Sequence, residues 1–199
     1  MNRHPLKSSF LQITLPAWID QRRSSLPSHV DALEDRMRLV IEYSRLNVAY
    51  DSGGPFAAAV FETQSGRLVS IGVNRVIPCS ASLAHAEMVA IGIAQQQLGC
   101  YDLGATQMPE HQLVVNGRPC AMCFGAIPWS GIRSVVIAAS GTQIEELTGF
   151  DEGPIHPHWQ HELRRRGIEV IEDVLADQAC DVFRYFAASG GRVYNGRGS

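Results

Sequence analysis

Two short motifs constrain the fold of this chain more than any other feature, because each places reactive side chains at the predicted start of a helix. His85-Ala86-Glu87 opens a segment rich in Ala, Ile and Gln, which predicts a helix that ends before Gly99. Pro119-Cys120-Ala121-Met122-Cys123 opens a second predicted helix, since proline is favoured in the first helical turn. A fold that uses both motifs must therefore bring two helix N-termini together.

The residue types in the two motifs predict a zinc site. The imidazole of His85 and the thiolates of Cys120 and Cys123 suit zinc, and three protein ligands leave one position free, as in catalytic zinc sites. The two cysteines lie on one helix face, where the positive end of the helix favours their thiolate forms. We expect one zinc ion per chain. Glu87 is then a proton carrier rather than a ligand, because a carboxylate there can move a proton from water to a ring nitrogen.

Two other interpretations of these motifs stay open. A structural zinc site needs a fourth protein ligand, for which Cys79, Cys100 and His111 are available, but none of them has a paired spacing to either motif. A zinc-stabilised binding protein without catalysis would keep the three ligands but would have no need of Glu87.

Composition and charge limit the partners of the chain. Its 199 residues are 45% hydrophobic and 19% charged, which is average for a soluble globular domain. A formal net charge of -3 provides no overall positive field for a nucleic-acid backbone, so we expect a small-molecule substrate and no nucleic-acid partner. The odd number of cysteines and the lack of a long apolar run in residues 1–19 predict a cytoplasmic protein without a membrane anchor.

The apolar pattern predicts alternating strands and helices. Predicted strands cover residues 57–62, 67–73, 111–116, 132–138 and 168–170, and predicted helices cover residues 28–48, 82–98, 119–126, a stretch near 160, and 175–188. Ser28 and Asp31 would form a capping box for the first of these helices. Because the first two strands form a hairpin, the alternation predicts an α/β fold with three layers, α/β/α, around a central mixed sheet.

The chain is predicted to form one domain with an N-terminal extension. Residues 1–27 carry three prolines and no clear periodicity, and we interpret them as an extension that packs on the domain. Residues 28–199 then form the domain itself, including a C-terminal helix and tail.

The order of the two motifs resembles that of a known family. His-x-Glu followed by Pro-Cys-x-x-Cys is similar to the signature of the cytidine and deoxycytidylate deaminase superfamily, in which the motifs bind zinc and the Glu transfers protons. Gly54-Pro55-Phe56-Ala57-Ala58, Asn74 and Gly149-Phe150-Asp151-Glu152 further resemble bacterial guanine deaminases of this fold. The resemblance spans residues 53–152, with a weaker similarity at Tyr194-Asn195. It implies a cytidine-deaminase-like fold and a zinc-dependent hydrolytic deaminase that converts guanine to xanthine and ammonia in purine catabolism.

The resemblance also implies a set of substrate contacts. Asn74 is expected to hydrogen-bond the edge of the base, and the backbone N–H of Ala86 is expected to contact an acceptor. Phe56 and Trp129 are expected to line the flat faces of the ring.

The choice of guanine rests on the acidic pair Asp151 and Glu152. An ionised carboxylate accepts hydrogen bonds from guanine N1–H and the C2 amino group, whereas adenine N1 and cytosine N3 would meet it acceptor to acceptor. The residues alone leave open which of the two enters the pocket, because neighbours on an extended segment point to opposite sides. The resemblance assigns Glu152, with a second catalytic role in moving a proton to the leaving amine while Glu87 serves N3.

A homodimer is also implied, since relatives have a C-terminal tail that crosses to complete the partner's pocket. Tyr194 would then contact the substrate of the other subunit. Two positions depart from the family pattern: Arg118 stands where many relatives have Glu, and Pro128 should kink or end the helix beside Trp129. Other substrates remain open, namely a tRNA adenosine, which needs a basic groove, or a free cytosine, cytidine or triazine ring.

Overall fold

The computed structural model describes residues 10–196 and shows a five-stranded sheet between two layers of helices. The strands are β1 (Ala57–Glu62), β2 (Leu68–Val73), β3 (His111–Gly117), β4 (Ser134–Ala139) and β5 (Glu169–Ile171). The helices are α1 (Ala17–Arg22), α2 (Leu33–Ala49), α3 (Val76–Cys79), α4 (Ala86–Leu98), α5 (Ala121–Ser130), α6 (Gly141–Thr148), α7 (Trp159–Arg164) and α8 (Ala176–Ala188). Within this part of the chain, no helix is long and apolar enough to cross a membrane.

The direction of the strands places several loops at one edge of the sheet. The spatial order is β2-β1-β3-β4-β5, with β1 antiparallel to both of its neighbours and β3, β4 and β5 parallel. Because β2 and β3 both oppose β1, the chain leaves β2, β3 and β4 at the same edge. The helices α4, α5 and α6 follow these strands, so their starts meet there. The predicted three-layer α/β/α fold with a mixed sheet is confirmed.

The strands divide their side chains between two hydrophobic cores, one on each face of the sheet. In β1, Ala57, Ala59 and Phe61 face the core beneath α2 and α8, whereas Ala58 and Val60 face the core beneath α4 and α5. All five side chains are fully buried. Helices therefore cover both faces of the sheet, which leaves the ends of the strands and the loops beyond them as the place for a functional site.

The helix predicted from residue 28 begins later, and the predicted Ser28 and Asp31 capping box is not its start. Helix α2 begins at Leu33. The preceding backbone pairs with the sheet instead: Leu68 N–H donates to Ser28 C=O at 2.9 Å, and Val30 N–H donates to Gly66 C=O at 2.8 Å. This pairing satisfies backbone groups at the β1–β2 hairpin and covers part of edge strand β2.

The N-terminal segment packs firmly on the domain. Residues 10–27 contain the short helix α1, which the sequence pattern did not predict, and Trp18 and Ile19 of this helix are buried in the core beneath α2. Residues 1–9 of the predicted extension lie outside the described residues. The division of the chain into an extension and a domain beginning at residue 28 stays a prediction.

Helix α5 ends two residues after Pro128, beside Trp129, which is one of the two outcomes expected from the sequence. It continues to Ser130 and is closed by Gly131 in the left-handed conformation. Pro128 has no N–H group to donate within the helix, but it lies in the last turn, where only two more helical residues follow it.

Candidate metal centre and substrate cavity

The starts of α4 and α5 bring the three predicted metal ligands together. His85 and Cys120 are the N-cap residues of the two helices, both with extended backbones, and Cys123 lies in the first turn of α5. The His85 Nδ1 atom is 3.4 Å from the Cys120 Sγ atom, and the ligand atoms of all three residues lie within 4.8 Å of one another. Zinc bonds to nitrogen and sulfur of about 2.0–2.3 Å span such a triangle with little adjustment.

The electrostatics of the two thiols fit a divalent cation. A hydrogen bond from Cys123 lowers the pKa of the Cys120 thiol to about 4, assisted by His85 and opposed by burial. The hydrogen bond to Cys120, with burial, raises the pKa of Cys123 well above its ordinary value. One thiolate is thus already formed, and the second would form when a cation replaces the shared proton. The donor set of one imidazole and two thiols therefore fits zinc.

A fourth protein ligand is not brought to this centre by residues 10–196. His111 is buried at the start of β3, where its Nδ1 atom lies 2.8 Å from the Leu103 carbonyl oxygen. Cys79 and Cys100 are half-buried free thiols and do not belong to the ligand cluster. The arrangement is that of an open, catalytic type of site rather than a closed structural one.

Glu87 lies beside the ligands in the first turn of α4, with only 6% of its surface exposed. Burial, followed by the charge of Cys120, raises its pKa to about 7. A carboxylate with a pKa near neutrality can both accept and release a proton during a reaction.

Glu152 is the member of the acidic pair whose side chain is buried at the cavity. It is 6% exposed, and burial, then the charges of Cys120 and Glu87, raise its pKa to about 8, with Arg118 acting in the opposite direction. Asp151 is exposed at the rim, where its carboxylate accepts the N–H of Gly153 at 2.8 Å. Without a cation, burial and these charges therefore oppose the ionised form of Glu152 that the sequence leads us to expect. A divalent cation would offset the charge of Cys120 and lower this pKa.

His85, Cys120 and both glutamates line one cavity of about 270 Å³. Phe56 lines it and packs on Phe150 with ring centroids 5.3 Å apart. Ala86 is fully buried as the first residue of α4, so its N–H is one of the four at a helix start that have no intrahelical partner. The size and apolar wall suit a small flat ring.

The side-chain amide of Asn74 has a defined orientation at this cavity. Its Oδ1 atom accepts the backbone N–H groups of Gly54 at 3.4 Å and Val76 at 3.3 Å, while its Nδ2 group donates to the hydroxyl of Tyr194. An amide nitrogen carries two hydrogens, so Asn74 offers the cavity a donor rather than an acceptor.

The C-terminal tail folds into the cavity of its own chain. After α8, Gly190 adopts a φ of 71°, and the chain turns back so that Tyr194 reaches Asn74. Asn195 holds the tail in place, because its side chain accepts the N–H of Asp151 and donates to the carbonyl of Gly149, both at 2.9 Å. Within a single chain, Tyr194 therefore lines the cavity of that same chain, and its contact with the substrate of a partner subunit stays a prediction.

Comparison with known proteins agrees with this geometry. The family model described as the cytidine and deoxycytidylate deaminase zinc-binding region matches residues 31–139. The chain belongs to this deaminase family. Guanine deaminase from Bacillus subtilis (strain 168) is 34% identical over 125 residues, which cover 63% of this chain and 75% of that protein.

Two solved structures resemble the deaminase over nearly its whole length. NE0047 in complex with 2,6-diaminopurine has a TM-score of 0.87 and 46% identity, covering 94% of this chain and 98% of that one. Guanine deaminase from Nitrosomonas europaea has a TM-score of 0.86 and 44% identity, covering 92% of this chain and 100% of that one.

One residue expected in the deaminase cavity lies elsewhere. Trp129 is 88% exposed on the outer side of α5, beside Phe124 and Pro128, and does not line the cavity. It follows Cys123 by six residues, which is about 240° of rotation around a helix, so it faces away from the metal ligands. The prediction that Trp129 covers a face of the substrate ring is wrong for the single chain.

Arg118 lines the deaminase cavity at the end of β3. Its guanidinium lies so close to Gly141 that a Cβ atom at that position would be 2.0 Å from Arg118 Nη2. Arg118 was noted above as a departure from the family pattern. Its packing on Gly141, which lies more than 20 residues further along the chain, could not be predicted from the local sequence.

Proposed function

We propose that this deaminase acts on free guanine, releasing xanthine and ammonia in purine catabolism. The observation that carries the proposal is the second buried carboxyl, Glu152, which shares one cavity with Glu87 and the ligands His85 and Cys120. The resemblance to guanine deaminases from Bacillus subtilis and Nitrosomonas europaea supports the same substrate.

The polar groups of the cavity match the two sides of guanine. Guanine has acceptors at O6 and N7 and donors at N1 and the C2 amino group. The second hydrogen of the Asn74 amide serves an acceptor of the ring, and Glu152 serves the donors. Phe56 supplies an apolar wall for the ring.

The two glutamates divide the proton transfers of the reaction between them. Glu87 takes a proton from water and delivers it to N3 while the water oxygen adds to C2. Glu152 then takes the proton of the new C2 hydroxyl group and delivers it to the C2 amino group. The C2–N bond breaks to release ammonia as the carbonyl forms, and Glu152 is left ionised as at the start. A zinc ion held by His85, Cys120 and Cys123 would polarise the attacking water.

We further infer one zinc ion per chain, a cytoplasmic location and a homodimer. The three ligands come from one chain and five free cysteines suit a reducing compartment. Met122 and Trp129, seven residues apart on α5, form an exposed apolar strip that a second copy would cover. Light scattering on the wild type and on Trp129→Glu tests the dimer: a monomeric mass for the wild type contradicts it.

The substrate is tested by ammonia release from guanine, adenine, cytosine, cytidine and a tRNA anticodon stem-loop. Guanine should be the preferred substrate, and Glu152→Gln should lower its kcat by about 10²–10³-fold because the proton donor to the amine is lost. Asp151→Asn is the matched control, since Asp151 is exposed at the rim. Preference of the wild type for adenine, cytosine, cytidine or the RNA would overturn the proposal.

A further inference from the structure

Trp18 connects the N-terminal segment to the loop beside the substrate cavity. Its indole N–H donates to Ser52 Oγ at 2.9 Å, and its ring packs against Tyr43 and Tyr50 with centroid distances of 5.4 and 5.5 Å. The side chain is 8% exposed. Trp18 therefore places one hydrogen-bond donor at a fixed point on the loop that follows α2.

The donor from Trp18 sets the direction of a chain of hydrogen bonds. Since Ser52 Oγ accepts from the indole, its own hydrogen is directed to Asn47, whose Oδ1 atom lies 2.8 Å away and is closer than the Asn47 backbone carbonyl oxygen at 3.1 Å. With Asn47 Oδ1 facing Ser52, the Nδ2 group of the same amide points away from Ser52. The Asn47 Nδ2 group donates to the carbonyls of Gly54 at 2.8 Å and Asn74 at 3.0 Å.

The last hydrogen bonds of this network join the loop at Gly54 to the segment that carries the Asn74 amide. Asn47 and Asn74 are both almost completely buried. Gly53 is the reason they approach so closely, because a Cβ atom there would lie 2.0 Å from the Asn74 carbonyl oxygen. Its φ of 154° is also one that other residues rarely adopt. A shift of Asn47 would therefore move the backbone on which the Asn74 amide is mounted.

Arg75 provides a second connection to the N-terminal segment, which also passes by Ser52. Its guanidinium donates through Nε to the carbonyl of Thr14 at 2.9 Å and through Nη1 to the carbonyl of Ser52. Arg75 directly follows Asn74 in the chain. Two connections thus run from residues 14–18, one to Asn74 itself and one to the residue that follows it.

We propose that the N-terminal segment is part of the substrate-recognition apparatus, with Trp18 as a positioning residue that fixes Asn74 through Ser52 and Asn47. The inference rests on the proposed function, in which Asn74 donates to an acceptor of guanine. Trp18 itself does not touch the substrate. It acts by holding the Asn74 donor at the place where the ring acceptor binds.

The test uses Trp18→Phe, which removes the indole N–H and keeps an aromatic ring between Tyr43 and Tyr50. Loss of one positioning hydrogen bond should raise KM for guanine about three- to ten-fold, with kcat within about two-fold, because the donor serves ring binding rather than proton transfer. Ser52→Ala should give the same change. Trp159→Phe is the matched control, since Trp159 is equally buried at 8% exposure but lies in the other core, and its KM should equal that of the wild type.

A double-mutant cycle distinguishes positioning from a general loss of stability. In an Asn74→Ala background, Trp18→Phe should have no further effect on KM, because the group it positions is absent. A multiplied effect would show that Trp18 does not act through Asn74, and an unchanged KM in both Trp18→Phe and Ser52→Ala would overturn the inference while leaving guanine deamination intact.

Hydrogen exchange gives a readout that does not depend on the substrate. Backbone amides in residues 52–56 and 74–76 should exchange faster in Trp18→Phe than in Trp159→Phe, because the network that protects them has lost its first donor. If the wild type fails to deaminate guanine but this difference is present, the proposed function is wrong and the positioning is retained. Equal exchange in the two variants contradicts the positioning.

Discussion

Glu87 and Glu152 are the same residue type in one cavity, but their positions give them different expected roles. Glu87 lies in the first turn of α4 beside the ligand His85, whereas Glu152 comes from the loop after α6. Glu87→Gln keeps the three ligands and removes the group that takes the proton from water. It should retain zinc in metal analysis and lose about 10²–10⁴-fold in kcat for ammonia release.

The control for this prediction is Glu110→Gln, since Glu110 is an exposed carboxylate just before β3. It should retain the wild-type kcat. Near-normal turnover by Glu87→Gln, or loss of its zinc, would contradict the assignment of Glu87 as a proton carrier that is not a ligand.

Local spacing predicted the metal ligands but not every residue of the cavity wall. His85, Cys120 and Cys123 each depend on a helix start that Pro119 and the apolar pattern indicate, and the structure brings them together. Trp129 was assigned by resemblance alone, and its rotation around α5 places it outside. The path of the tail that carries Tyr194 has no local signal either, because it depends on a turn at Gly190 and on contacts distant in sequence.

At the scale of elements, β2 and α4 touch through a position that only glycine fits. A Cβ atom on Gly72 would lie 2.5 Å from both the Ala86 carbonyl oxygen and the Ala90 nitrogen. Gly72→Ala should therefore push apart the strand and the helix that carries Glu87. We expect a loss of about 2–3 kcal/mol in the free energy of unfolding, measured by urea denaturation, as for other overpacked sites.

Gly92→Ala, which changes a glycine of α4 itself, is the control. A Cβ atom on Gly92 meets nothing within 4 Å, so this change should stabilise α4 by about 0.5–1 kcal/mol. Equal effects of the two substitutions would show that the close packing of β2 on α4 does not limit stability.

The β1–β2 hairpin carries an ion pair that makes part of its stability depend on pH. Glu62 Oε1 accepts from Arg67 Nε at 2.9 Å, and this hydrogen bond lowers the pKa of Glu62 below its ordinary value of 4.5. A lowered folded-state pKa means that the pair stabilises fully above pH 4.5 and that this contribution disappears as the pH falls through the folded-state pKa. Glu62→Gln should cost about 0.5–1 kcal/mol at pH 7, and the difference from wild type should vanish in acid denaturation series. Glu169→Gln, at an exposed position of β5, is the control for the loss of one surface carboxylate.

The sequence pattern predicted most helices and strands, but it was wrong where a local signal competes with tertiary contacts. Ser28 has the residue type of a helix cap, yet its carbonyl pairs with Leu68 of the hairpin, and α2 starts at Leu33. Helix α6 was not predicted, although Ser140 and Gln143 form a capping box there, with bonds of 3.3 and 2.8 Å. Avoiding the first error requires knowledge of the sheet. The second could have been avoided, because the residues of the capping box can be recognised in the sequence.

At the scale of the whole molecule, the sheet gathers distant segments at one edge. The loops after β2 and β3 supply Asn74 and Cys120, the loop after α6 supplies Glu152, and the residue before β1 is Phe56. The alternation of strands and helices predicted such an edge. The closing of the cavity by the C-terminal tail could not be predicted from it, because the tail follows the last regular element.

The last prediction asks whether the tail serves its own chain when the protein is a dimer. Heterodimers with two different tags are purified from a Glu87→Gln chain with an intact tail and a second chain that ends at Ser189 but keeps Glu87. Because Tyr194 reaches Asn74 within one chain, the only intact Glu87 site then lacks its tail, and turnover of guanine should be no higher than that of the truncated homodimer. A heterodimer of wild type and Glu87→Gln, which should have about half the wild-type turnover, shows that one intact site works alone. Recovery of the truncated chain to that level would mean that the tail crosses between subunits, and failure to isolate any heterodimer would contradict the dimer itself.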